Sequence, residues 1–103
     1  MSATWAALTE GRSGITSISF FDATDYPSSI AGEVQDFDPL ARFSNKEARK
    51  MDRFVQLGMV AGLEAYDDAG LNGELDKERF GVLIGAGIGG LETIERTTNT
   101  LLE

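Results

Sequence analysis

Four glycines fall within six residues, at 85, 87, 89 and 90, between an apolar run and a helix-like one. Phe80 to Ile84 is apolar and does not alternate with polar residues, which predicts a buried, parallel strand. Leu91 to Arg96 (Leu-Glu-Thr-Ile-Glu-Arg) reads as the opening of a helix. A strand, a glycine-rich turn and a helix in that order make an α/β connection, the place where such proteins usually bind a ligand. The rest of the chain must supply the strands, helices and charges that this turn needs.

Composition narrows the chemistry. The 103 residues contain no histidine and no cysteine. They therefore offer no ordinary catalytic triad, no thiolate nucleophile, no His/Cys metal site and no disulfide framework. The net charge of −8 argues against nucleic-acid binding. No stretch has the apolar length of a membrane span or the form of a signal peptide, so a soluble, cytoplasmic chain without metal or cofactor is expected. The length suits one small domain.

The clearest pattern lies in the middle of the chain. Ser44 with Glu47 has capping-box spacing, and a long helix is predicted from there to about Ala69, ending at Gly70. Met51, Val55, Gly58, Met59, Gly62, Leu63, Tyr66 and Ala69 share one broad side at three- and four-residue spacing. Gly58 and Gly62 each cost about 1 kcal/mol relative to Ala in a helix, and their spacing predicts a close approach by another helix or a strand. Upstream, residues 1–11 read as a short helix ending at Gly11, with Trp5, Ala6 and Leu8 toward a core. Ile15 to Phe21 reads as a short strand or extended segment, and Ile30 to Val34 as a short strand. Residues 22–29 and 36–40 carry turn chemistry, with Pro39 suited to a first helical position. Asn72 to Arg79 is a polar connection, and a final helix runs to Glu103.

Three readings fit the glycine turn. Gly85-x-Gly87-x-x-Gly90 matches the dinucleotide fingerprint, but the expected βαβ unit and its later acidic residue do not follow, and Glu92 and Glu95 place negative charge where phosphates would lie. The turn could simply allow tight backbone packing. It could also line an acyl or other apolar pocket, with Ile88 as its one bulky side chain. Charge gives a second motif: five of the nine basic residues lie between 42 and 53. On one continuous helix Lys46, Arg49, Lys50 and Arg53 would span an arc of about 100°, either a solvated face or a docking patch for an acidic partner. The carboxylate pairs Asp36/Asp38 and Asp67/Asp68 read as solvated surface.

Several stretches together resemble the β-ketoacyl-[acyl-carrier-protein] synthases, the elongating type II enzymes most of all. They are Gly11-Arg12-Ser13-Gly14-Ile15, Phe21-Asp22 with Tyr26, Ile30-Ala31-Gly32-Glu33-Val34, Lys46 to Phe54, Asp68-Ala69-Gly70-Leu71 and Gly85 to Leu91. The resemblance implies an α/β chain that is a partial N-terminal piece of a thiolase-like fold: a long central helix followed by a strand, a Gly-rich turn and a helix. Residues 1–103 would then be a fragment of the ketosynthase domain, with its first strand upstream and its catalytic cysteine and histidines downstream. The implied reaction is decarboxylative Claisen condensation of an acyl group with malonyl-acyl carrier protein by a homodimeric enzyme. The fragment alone would be incompetent and, with unpaired strand edges, prone to aggregate. Residue by residue, the resemblance assigns Lys46, Arg49 and Lys50 to the acidic acyl carrier protein, and Ile88, flanked by Gly87 and Gly89, to the end of the acyl pocket. A polyketide ketosynthase segment, a non-catalytic chain-length factor and a free-standing nucleotide-binding domain are the alternatives.

Overall fold

The computed structural model describes residues 2–71 and 75–103, so 72–74 of the predicted polar connection and Met1 of the predicted first helix lie outside the described residues. The chain divides into two compact units, Met1–Phe37 and Asp38–Glu103.

In the first unit, helix α1 (Ser2–Thr9) ends as its sequence predicts. Gly11 takes a left-handed φ of 66°. Its N–H donates to the Leu8 carbonyl at 3.2 Å and the next N–H, of Arg12, to that of Ala7 at 2.8 Å, the paired bonds of a Schellman ending. The predicted core contact of α1 forms only in part: Ala6 is half-buried, whereas Trp5 and Leu8 are exposed. Strands β1 (Ile15–Ser17) and β2 (Ile30–Gly32) pair antiparallel, with Ile15 opposite Gly32 and Ser17 opposite Ile30. Both are shorter than their apolar stretches suggest. Beyond β1 the chain is held by a side chain instead of a ladder. The Glu33 carboxylate accepts from the Ser19 hydroxyl at 2.6 Å and from the backbone N–H groups of Ser19 and Phe20. These bonds, the Ser19 hydroxyl foremost, hold the Glu33 carboxyl below its ordinary range. The intervening loop folds around Asp22, which accepts from the hydroxyl and the N–H of Thr24, and around an edge-on contact of Phe21 with Tyr26 at 5.3 Å.

The second unit carries the predicted central helix, but in two pieces. A 3-10 turn (Pro39–Ala41) is capped by Asp38, whose carboxylate accepts from the Leu40 N–H at 2.9 Å. Helix α2 (Asn45–Ala48) opens on the predicted capping box: the Glu47 N–H reaches the Ser44 hydroxyl, and the Ser44 N–H reaches the Glu47 carboxylate at 2.9 Å. Helix α3 spans Arg53–Asp68. The one continuous helix expected from 44 to 69 is therefore corrected to two, broken over 49–52. The cause is Asp52, which takes extended backbone angles (φ −63°, ψ 155°) as the N-cap of α3. Gln56 braces the break: its amide donates to the Ala48 carbonyl at 2.9 Å, which also accepts the Met51 N–H, and to the Met51 carbonyl at 3.1 Å. Gly70, at φ 62°, ends α3 as predicted.

The predicted strand 80–84 forms no ladder among the described residues. An apolar strand needs a neighbour's N–H and C=O groups, and no described segment offers them. The segment nevertheless occupies the place the helix glycines foretell. Ile84 lies over them: a Cβ on Gly58 would stand 3.5 Å from its Cγ2, and one on Gly62 3.9 Å from its Cδ1. Phe80 meets Tyr66 edge-on at 6.3 Å. After the glycine turn comes helix α4 (Leu91–Leu102). Among the described residues no helix is long and apolar enough to cross a membrane.

Candidate functional site at the glycine turn and the basic patch

The glycine turn is two γ-turns in succession. The Gly89 N–H donates to the Gly87 carbonyl at 2.7 Å and the Leu91 N–H to the Gly89 carbonyl at 3.1 Å. Gly90, between the second pair, has φ −84° and ψ 56°, the common inverse form. Ile88, between the first pair, has φ 62°. That is the rarer, strained form, and a β-branched side chain there costs of order 1–3 kcal/mol. Asp36 shares the left-handed region at φ 54°, but Asp tolerates it and Ile does not. The Ile88 side chain gains no packing in return, being 78% exposed.

What holds the turn comes from the start of α3. The Phe54 ring lies against Gly89, where a Cβ would be only 3.3 Å from its Cζ. The Asp52 carboxylate lies against Gly90, where any Cβ would collide with it. Asp52 makes no side-chain bond to its own helix. Its carboxylate instead accepts from the Thr93 hydroxyl at 2.6 Å, across 41 residues of sequence. It thereby places negative charge at the N-terminus of α4, where the helix dipole favours it.

Two concavities border this turn. The larger, about 610 Å³, runs along α3 beneath the 84–87 segment and is lined by Phe54, Val55, Gly58, Ile84 and Gly87 among others. It is apolar, as an acyl chain would require. The smaller, about 100 Å³, lies between Asp52, Phe54, Gly89, Gly90 and Thr93. Gly87 and Gly89 thus face different concavities, and Ile88 projects at the apex between them. The geometry also disposes of the dinucleotide reading. The helix N-terminus that would take a pyrophosphate already faces the Asp52 carboxylate.

Lys46, Arg49 and Lys50 lie on α2 and the turn that follows it. Arg49 is the α2 C-cap, with its N–H bonded to the Asn45 carbonyl, and the Lys50 N–H bonds to that of Glu47 at 3.0 Å. All three are exposed, and none forms an ion pair among the described residues. Arg53 belongs to α3 beyond the break, so the expected four-residue arc on one helix is replaced by three cations on α2 and its turn, with Arg53 apart. The carboxylate pairs are exposed, as expected; Asp38 in addition caps the 3-10 turn, and Asp67 pairs with Arg42 at 3.5 Å on the surface. No carboxylate cluster among the described residues could hold a metal. Sequence reasoning missed Asp52 and Thr93. An Asp just before the apolar period of α3 was the available signal for the break; nothing local announces its bond to Thr93.

The sequence profile of the β-ketoacyl synthase N-terminal domain matches residues 1–102, and the chain belongs to that family. It is 51% identical over 100 residues to a 3-oxoacyl-[acyl-carrier-protein] synthase 2 of Vibrio harveyi, covering 96% of this chain and 24% of that protein. Enzymes of the same name from Coxiella burnetii and a Synechocystis species are 46% and 45% identical, over 95% and 96% of this chain and 24% of each of theirs. The chain thus spans about a quarter of the length of these relatives. Its fold class is accordingly the α/β class of the ketoacyl synthases, present here as helices and one two-stranded sheet.

Proposed function

We propose that these residues are the N-terminal part of a 3-oxoacyl-[acyl-carrier-protein] synthase that elongates fatty acids. The observation that carries this reading is the match over residues 1–102 together with 51% identity to an enzyme of that name. The reaction is a decarboxylative condensation. The malonyl thioester loses CO2, the carbanion so formed attacks the acyl thioester on a cysteine, and the C–S bond breaks to release the thiolate. These 103 residues contain no cysteine or histidine, so in the complete homodimeric enzyme the nucleophile and the histidines that stabilise developing charge come from outside them. This part contributes recognition. Lys46, Arg49 and Lys50 form the positive patch for the acidic acyl carrier protein, and Ile88, between Gly87 and Gly89, closes the end of the acyl pocket.

The patch is tested by reversing two of its charges. In the complete synthase, Arg49→Glu with Lys50→Glu should weaken carrier-protein binding by about tenfold or more at low salt, with the difference shrinking as salt screens the field. Titration calorimetry across an ionic-strength series reads this directly. Unchanged affinity at low salt removes the patch from the docking surface.

A further inference from the structure

Ile88 is held in a backbone conformation that its own side chain opposes, and that side chain is exposed. Such a conformation persists only when its surroundings over-determine it. The restraints visible here are few and specific. Phe54 closes on Gly89, and Asp52 closes on Gly90 while holding the Thr93 hydroxyl at 2.6 Å. Both come from the residues around the start of α3, so among the described residues the turn is pinned from that side. Asp52 is the residue whose carboxylate would ordinarily cap its own helix; here it is committed to the other side of the turn.

We propose that Asp52 is a positioning residue for the Ile88 turn. Its carboxylate, bonded to Thr93 and closed against Gly90, latches the turn to the start of α3 and thereby biases which acyl lengths the synthase accepts. The consequence for chain length rests on the reading of Ile88 as the end of the acyl pocket. With the latch closed, Ile88 is presented at the apex; with it released, the strained φ relaxes and the side chain yields to longer chains. Phe54 supplies contact, whereas the Asp52–Thr93 bond supplies direction.

The test uses Thr93→Val in the complete synthase, which keeps the side-chain shape and removes only the donor, with Thr93→Ser as the variant that restores it. Hydrogen exchange at the Gly89 and Leu91 amides should quicken by roughly tenfold to a hundredfold in Thr93→Val, the weight of one hydrogen bond to a charged acceptor. It should return toward the parent rate in Thr93→Ser. The kcat/KM ratio of long over short acyl substrates should rise in Thr93→Val, whereas a general loosening of the fold would lower both together. Exchange left unchanged overturns the latch whatever the substrate profile. Ile88→Phe is run in parallel: a length profile that it leaves unmoved overturns the pocket reading and the consequence for chain length, while the exchange measurement still decides the latch.

Discussion

Where the chain enters α2 at Ser44 and then bends into α3, its backbone groups are met by near neighbours in sequence. Ser44 and Glu47 cap each other's backbone, and Gln56 takes up the carbonyls of Ala48 and Met51. Between Ile84 and α4 the chain makes a comparable change of direction with little local help. Two three-residue turns carry it, one of them through Ile88 in the left-handed region, and the stabilising groups arrive from up to 41 residues upstream. The first bend is satisfied by residues no more than eight positions apart. The second exists only because α3 is already in place.

The sharpest way to break the comparison is Gly90→Ala. The new Cβ would collide with the Asp52 carboxylate, and either the latch or the helix start must move. A loss of about 2–3 kcal/mol is expected for such overpacking, read by denaturant unfolding of the complete synthase. A neutral result would mean that the turn is slack and that Asp52 does not restrain it. At the entry to α2, Ser44→Ala removes one half of the capping box and should cost about 1 kcal/mol, read the same way. A cost comparable to that of Gly90→Ala would erase the distinction between locally and remotely built bends.

The smallest expected effect is on pH. The Ser44 hydroxyl, and then its N–H, hold the Glu47 carboxyl below its ordinary value of 4.5. A carboxyl lowered in the folded state contributes stability that is present above the unfolded value and is lost as the pH falls through the folded one. The protection of the Ser44 amide, its exchange rate relative to the intrinsic rate at each pH, should therefore fall on acidification below the ordinary carboxylate range, and Glu47→Gln should flatten that dependence. A profile identical in parent and variant would detach the cap from the charge of Glu47.

Features set by neighbours in sequence were legible before the fold was. The capping box at Ser44 and Glu47, the helix endings at Gly11 and Gly70 and the close approach at Gly58 and Gly62 all follow from spacing and residue type. The break at 49–52 was hidden because the apolar period runs through it: Met51 and Val55 keep helical spacing although Asp52 turns the chain between them. The strand at 80–84 has the composition of a buried strand, but a ladder is a property of two segments and the second is not among the described residues. The exposed Trp5 and Leu8 likewise miss their predicted core. At the glycine turn the apex residue Ile88 was evident, whereas the Asp52–Thr93 bond joins positions 41 apart that no periodicity connects.

Helix α2 has four residues, far below the length at which a helix persists by itself in water. Its three exposed cations therefore have no geometry of their own. They borrow it from an uncharged amide, Gln56, reaching back eight residues to the Ala48 carbonyl. The patch behaves as an appendage of α3, rigged by one side chain, and its spacing is only as durable as that stay.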